Sequence, residues 1–266
     1  MNEMRHMARQ CLKSADPDEK LQLVRTLMRA HQLGNISLDT EVAMSDLCQP
    51  GLPDKPALVR GSKTPRRGFA TPEGRAIMMH AIAHIEYNAI NLALDAIQRF
   101  ANMPEAYYTD WLQVAFEEAY HFELVRAHLR HMGGEYGDHV AHGGLWEMCE
   151  KTASDVLQRM ALVPRVLEAR GLDVTPGIQK KLTQAGDHNA VSILDIILRD
   201  EITHVATGNR WYRYCCDQRG LDTVETFTAL LAEFYPKGLM GPYNMVAREQ
   251  AGFTASELEL LNHPTQ

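Results

Sequence analysis

The chain has 266 residues, a formal net charge of −7 and 45% apolar residues, which are ordinary values for a globular protein that buries a sizeable core. They exclude disordered and collagen-like chains, and the acidic balance disfavours a nucleic-acid groove spread over the whole surface. No uncharged apolar run approaches the ~18 residues of a membrane span. The five cysteines form no C-x-x-C pair, which argues against a disulfide framework and favours a cytoplasmic protein. The adjacent Cys215 and Cys216 are interpreted as packing residues on a helix.

The N-terminal region is predicted to form two short helices and an extended arm. Apolar residues spaced by three or four predict helices over 3–13 and 17–33, and the proline-rich stretch 49–73 is typical of an arm without regular structure. The arm carries the strongest basic patch of the chain, Arg60, Lys63, Arg66 and Arg67. This patch is either a solvated face or a contact for phosphate or RNA. We expect residues 1–72 to pack on the domain that follows.

Four longer helices are predicted after the arm. Thr71-Pro72-Glu73 is typical of a helix start, with a capping threonine and proline at the first position. The helices are predicted at about 72–100, 104–131 and 145–170, the third ending at Gly171, and from near Pro176 or Gly186 to about 217. Shorter helices are predicted over 222–233 and 255–262.

These elements predict an all-α protein. Four long helices with a longer connection in the middle favour a four-helix bundle over 73–218, with a crossover between the second and third helices. Residues 219–266 are then a C-terminal helical extension. The domain organisation is therefore one bundle with helical additions at both ends.

Each long helix carries a glutamate within an otherwise apolar stripe, and two helices add a histidine one turn later. The residues are Glu86, Glu118 with His121, Glu168, and Glu201 with His204. Burying one ionised carboxylate costs several kcal/mol unless it is compensated, so four together require cations. Two divalent metals would neutralise the four carboxylates and use both imidazoles, and oxygen and imidazole ligands suit iron or manganese.

The spacing of these six residues forms an internal repeat. Glu86 maps onto Glu168 with an offset of 82 residues, and the Glu118–His121 pair maps onto Glu201–His204 with an offset of 83. A lone E-x-x-H pattern is common in helices, whereas two at matched spacing indicate two helix pairs with one metal each. The alternative is that some of these glutamates face solvent.

The E…E-x-x-H…E…E-x-x-H pattern over residues 74–210 resembles the ferritin-like di-iron carboxylate superfamily. The stretches HAIAHIEYNAINLALD, VPRVLEARGLDVTP, DEITHV and AREQAGFT are similar to an uncharacterised bacterial branch, domain-of-unknown-function family 455. The resemblance implies that Glu118 and Glu201 bridge two metals and that the other four ligands are terminal. Pro164 departs from the pattern because a proline one turn before Glu168 predicts a kink that displaces it.

Residues beside the ligands are candidates for supporting roles. A metal-bound histidine usually donates its second N–H to a carboxylate, so Asp200 is predicted to orient His121 and Glu117 to orient His204. Tyr87 and Tyr120 each neighbour a ligand in sequence and are candidates for redox or hydrogen-bonding roles, with an ordinary core tyrosine as the alternative.

The resemblance implies an oxidoreductase that activates dioxygen or peroxide to oxidise or hydroxylate an unknown substrate. That substrate is either a small molecule or one linked to RNA, and an external electron donor is expected. Iron storage or metal buffering without substrate chemistry is the alternative function, and a helical interaction module is the third. Exposed faces of the long helices favour a homodimer.

Overall fold

A computed structural model describes residues 3–41, 48–65 and 67–262, and every regular element within these ranges is helical. The predicted all-α class is therefore confirmed. The chain divides into two compact units, Met1–Glu147 and Met148–Gln266. The domain boundaries predicted from the sequence stay a prediction.

The first unit contains two short helices and a long helical hairpin. The helices are α1 (Met4–Lys13), α2 (Pro17–Gln32), α3 (Pro72–Arg99) and α4 (Glu105–His131), with a 3₁₀ turn at Gly61–Lys63 and the start of α5 (Gly144–Lys151). α3 packs along α4, while α1 packs against α3 and α2 against α4. As predicted, Pro72 opens α3 and the Thr71 hydroxyl accepts a hydrogen bond from the Gly74 N–H, at 3.1 Å.

Two buried cations attach the N-terminal helices to α3. The Arg5 guanidinium donates to the carbonyls of Ile97 and Gln98, at 3.3 and 3.0 Å. The Lys20 ammonium donates to Asn91 Oδ1 at 2.6 Å, and burial lowers the pKa of this lysine to about 7. Residues before the arm thus pack within the same unit as the long hairpin.

The second unit is built around one long helix. Its elements are α6 (Val156–Leu162), a π-helical turn (Val163–Glu168), α7 (Ala169–Gln184), α8 (His188–Arg219), α9 (Thr223–Phe234), α10 (Met245–Gln250) and α11 (Ala255–Asn262). α6, the π-helical turn and α7 all pack on α8. Cys215 and Cys216 are buried on α8 as free thiols, in agreement with the packing interpretation.

The prediction for the third long helix was wrong in two respects. The segment is interrupted between α5 and α6, where Asp155 caps the start of α6. The helix then continues through Gly171 to Gln184, and Pro176 lies inside α7 rather than at the start of the next helix. The fourth helix begins after the Gly186 break, with Asp187 as its N-cap.

A side chain from another segment accommodates Pro176 within α7. A proline has no N–H, so the carbonyl four residues earlier, that of Leu172, loses its helical partner. The Asn244 side-chain amide donates to this carbonyl at 3.2 Å. The replacement donor accounts for a proline inside a helix, at a position where the sequence pattern predicted a possible helix start. The short helix α10, which follows Asn244, was not predicted.

None of the described helices combines the length and apolar character needed to cross a bilayer.

Candidate metal centre

Three predicted ligands come together inside the first unit. α3 supplies Glu86 and α4 supplies Glu118 and His121. One ligand atom from each lies within 4.8 Å of the others, and all three residues are at most 4% exposed. His121 Nδ1 lies 3.3 Å from Glu118 Oε2 and 3.5 Å from Glu86 Oε2. The three side chains are therefore close enough to one another to hold one metal ion.

The electrostatics of this cluster reflect crowded acidic groups in a dry environment. Burial raises the pKa of Glu86, with a further increase from the neighbouring Glu118 carboxylate. Burial disfavours the imidazolium of His121, but hydrogen bonds to Glu118 and Glu86 outweigh that effect and raise its pKa. A proton on His121 thus compensates part of the acidic charge. A divalent cation would compensate more of it, in competition with that proton.

The three predicted ligands of the second unit are also buried. Glu201 and His204 lie one turn apart on α8 and are 8% and 1% exposed, and Glu168 is 9% exposed. The alternative that these glutamates face solvent is therefore wrong for all four predicted positions. Glu168 is the last residue of the π-helical turn, so its backbone differs from that of the ligands on regular α-helix.

The π-helical turn is shaped by a close contact with α8. Pro164 lies against Gly208, where a Cβ atom would come within 2.3 Å of the proline Cβ. The helix therefore widens instead of ending at the proline, and the predicted kink takes the form of a π-helical turn. Pro164 alters the setting of Glu168 without exposing it.

A buried arginine holds the same turn in place. The Arg165 side chain lies in the core, with its guanidinium 4.0 Å from the ring centres of both Tyr212 and Phe227. It donates to Asn209 Oδ1 at 2.7 Å and forms an ion pair with the buried Glu257. This support was not predicted, because nothing in the spacing of Arg165 and Glu257, 92 residues apart, links them.

The predicted supporting carboxylates have neighbours on their own helices. Asp200 is paired with Arg199 at 2.8 Å, and Glu117 accepts a hydrogen bond from the Gln113 amide at 2.7 Å. Their predicted roles in orienting His121 and His204 stay a prediction.

The two candidate tyrosines differ in exposure. Tyr87 is buried, its ring packs against Phe122 and Tyr136, and its hydroxyl has no hydrogen-bond partner among the described residues. Tyr120 is 45% exposed, so its side chain extends toward solvent although it is next to His121 in sequence. Only Tyr87 is placed for a role in the interior.

The basic patch is exposed where the structure describes it. Arg60, Lys63 and Arg67 are exposed, and Arg66 lies outside the described residues. Exposure is compatible with either interpretation of the patch, a solvated face or a contact for phosphate or RNA.

Two buried histidines on α3, His80 and His84, form a polar network with the loop at 136–137 that the sequence did not predict. His84 Nδ1 lies 2.9 Å from the Tyr136 hydroxyl, and His80 accepts a hydrogen bond from the Gly137 N–H at 2.9 Å. Burial lowers the pKa of both histidines to about 4. The spacing of His80 and His84, four residues on one helix, is the signal that could have placed them on a common face.

The fold and the site define an all-helical protein with a buried glutamate and histidine cluster suited to holding a metal ion. The chain belongs to the family described as protein of unknown function (DUF455), which it matches over residues 13–259. It is also 50% identical over 259 residues to an uncharacterized protein of Haemophilus influenzae, covering 93% of this chain and 90% of that protein. No solved structure matches the chain.

Proposed function

We propose that this protein is a ferritin-like, non-haem di-metal protein with iron or manganese at its centre. The ligands proposed are Glu86, Glu118, His121, Glu168, Glu201 and His204. The single observation that carries the proposal is the buried cluster of Glu86, Glu118 and His121, whose ligand atoms lie within 4.8 Å of one another. The burial of the three repeat-related residues in the second unit supports a matching half-site.

The residues present fit the proposed metals chemically. Four carboxylates and two imidazoles are hard or borderline donors, which suit iron and manganese. One E-x-x-H pair per half is the ligand arrangement of di-metal helical bundles. By the resemblance, Glu118 and Glu201 would be shared between the metals, while Glu86, Glu168, His121 and His204 would each hold one.

The proposed activity is oxidation or hydroxylation of a substrate with dioxygen or peroxide as the oxidant. The metals, when bound, would supply the redox and Lewis-acid chemistry of that reaction. The chain's own contribution is to bury the ligand side chains and to hold them close to one another. His121 Nδ1 lies 3.3 Å from Glu118 Oε2, so the imidazole is already held beside the carboxylates that would share a metal with it.

Further parts of the proposal concern the surroundings of the centre. Asp200 and Glu117 would orient the ligand histidines, and Tyr87 would supply an interior hydroxyl near the site. An external donor would return electrons, and a small or RNA-linked molecule would be the substrate, in a cytoplasmic homodimer. The exposed Arg60, Lys63 and Arg67 of the arm would supply the contact with the phosphates of an RNA-linked substrate.

Metal analysis tests the proposal directly. The full chain is loaded anaerobically with ferrous iron or manganese, desalted, and measured by elemental analysis. We expect two metals per chain in the wild type and a loss of metal in Glu118→Ala and Glu201→Ala. Glu123→Ala is the matched control on α4, since Glu123 pairs with Arg25 at the surface.

The outcome also separates the candidate functions. Fewer than two metals in the wild type would reject the di-metal centre. Bound metal, with an optical change when dioxygen or peroxide is added to the reduced protein, supports the enzyme. Bound metal in a cage-sized particle on gel filtration would instead support storage.

A further inference from the structure

The first unit contains a cavity of about 360 Å³ between the proline-rich arm, α3 and the start of α5. Its volume falls in the range of small-molecule sites, roughly 300–1,000 Å³. α3 contributes His84 and Asn88, which lie two positions before and after Glu86. At about 100° per residue, these side chains lie on the opposite side of α3 from the metal ligand. The cavity is therefore distinct from the proposed metal centre.

The floor of the cavity offers a hydrogen-bond acceptor. Asn88 is 5% exposed, and its Nδ2 donates to the His84 carbonyl at 2.8 Å and lies 3.1 Å from His84 Nε2. The amide therefore donates to the His84 carbonyl, whereas Asn88 Oδ1 accepts no hydrogen bond from a described residue. A ligand that reaches the floor would gain by presenting an N–H or O–H group there.

The mouth of the cavity carries one charge of each sign. Arg60 and Glu147 both line it and are both exposed. Neither side chain forms an ion pair with a described residue, so both charges are available to a ligand. A ligand with one anionic and one cationic group would match the two.

The wall between mouth and floor is apolar. Leu52 and Leu58 line it and are 47% and 46% exposed, which is high for leucine. Trp146 adds an indole whose N–H is fixed by Gln49 Oε1, at 2.9 Å. Apolar surface of this kind favours an aromatic or aliphatic ligand body.

We propose that this cavity binds a free amino acid with a flat, apolar side chain that ends in a hydrogen-bond donor. The ligand carboxylate pairs with Arg60 and its ammonium pairs with Glu147. The side chain lies against Leu52, Leu58 and Trp146, and its donor reaches Asn88 Oδ1. The site requires no metal, so its test is independent of the proposed function.

Three probes separate the contributions of the two charges. L-tyrosine carries both charges, tyramine lacks the carboxylate, and 3-(4-hydroxyphenyl)propanoate lacks the ammonium. Binding to the full, metal-free chain is measured by saturation-transfer NMR and by calorimetry. We expect L-tyrosine to bind about tenfold more tightly than either analogue, the effect of one charge-assisted contact.

Surface variants assign each charge to a residue. We expect Arg60→Gln to abolish the preference for tyrosine over tyramine, and Glu147→Gln to abolish the preference over the propanoate. Lys63→Gln on the same arm and Glu41→Gln are matched controls that should leave all three affinities unchanged. All four residues are exposed, so the variants should fold, which thermal melting checks.

Three results would overturn the proposal. The first is the absence of binding by L-tyrosine up to its solubility limit. The second is an affinity of either analogue within twofold of that of tyrosine. The third is an equal loss of binding in Lys63→Gln and Arg60→Gln, which would indicate a general effect of arm charge.

Discussion

The two halves of the proposed centre have nearly the same ligand spacing but different backbones. In the first unit Glu86 and Glu118 lie within the uninterrupted helices α3 and α4. In the second unit Glu201 lies on α8, whereas Glu168 ends a π-helical turn beside Pro164. The repeat in the sequence therefore specifies which residues are buried, while local packing decides the geometry of the helix that carries them.

The buried polar networks of the two units also differ. The first unit places neutral histidines, His80 and His84, next to Tyr136. The second unit uses buried ion pairs, Arg165 with Glu257 and Arg248 with Asp173, the latter at 2.7 Å. We therefore expect acid to destabilise the first unit by protonating its histidines. Removal of one charged side chain should destabilise the second unit most.

The largest expected effect is on metal binding and tests whether the halves are equivalent. Glu86→Ala and Glu168→Ala each remove a terminal ligand, so each should lower the metal content from two per chain to about one. Elemental analysis after desalting measures this. If Glu168→Ala retains both metals while Glu86→Ala loses one, the π-helical turn does not supply a ligand and the halves are not equivalent.

Removal of Arg165 should produce the largest change in stability. Arg165→Met leaves the buried Glu257 without its principal cation, and breaking a buried pair costs about 3–5 kcal/mol. Urea unfolding followed by circular dichroism measures the free energy of unfolding. The double variant with Glu257→Met should recover much of the loss, because no charge then remains buried. No recovery would show that Arg165 acts through its packing on Tyr212 and Phe227 alone.

Acid should destabilise the first unit through His80. Burial lowers its pKa to about 4, so the unfolded chain takes up a proton near pH 6.5 while the folded chain does not. The free energy of unfolding should fall by about 2 kcal/mol between pH 7 and pH 4.5 from this residue. Urea unfolding at both pH values should show a smaller difference in His80→Gln. The exposed His6→Gln is the control, and an unchanged difference in His80→Gln would assign the acid sensitivity to other groups.

A smaller effect is expected at the contact that shapes the π-helical turn. The Cβ of Gly208→Ala would overlap Pro164, and overpacking of this kind costs about 1–3 kcal/mol. Gly171→Ala on α7 is the matched control, since open space surrounds that position and alanine should stabilise the helix by about 0.4–1 kcal/mol. Thermal unfolding compares the two. Equal effects would mean that the proline ring moves aside freely.

Much of the helical structure was predictable because capping residues and apolar periodicity lie within or next to the helices that they specify. The capping residues at Thr71 and Pro72, and the break at Gly186, predicted helix starts close to those observed. The third helix was not predictable in this way, since the helix continues through Pro176 with the help of a contact from a distant part of the chain. Asn244 replaces the missing donor of Pro176, and its position is 72 residues from the carbonyl that it satisfies.

The same distinction between local signals and distant contacts applies to the candidate site. Glutamates in apolar stripes pointed to burial, and burial is observed for Glu86, Glu118, Glu168 and Glu201. The supporting groups were less accessible to sequence reasoning, because Arg165 reaches Glu257 across 92 residues and Tyr136 reaches His84 from a loop. Such contacts leave no periodic signal.

The Pro164–Gly208 contact has a consequence for how the family can change over time. A lineage that replaces Pro164 first gains room for a later side chain at position 208, so both steps are tolerated. The reverse order passes through a chain in which a Cβ at 208 lies 2.3 Å from the proline. Relatives should therefore combine glycine at 208 with any residue at 164, but a larger residue at 208 only where the proline is absent.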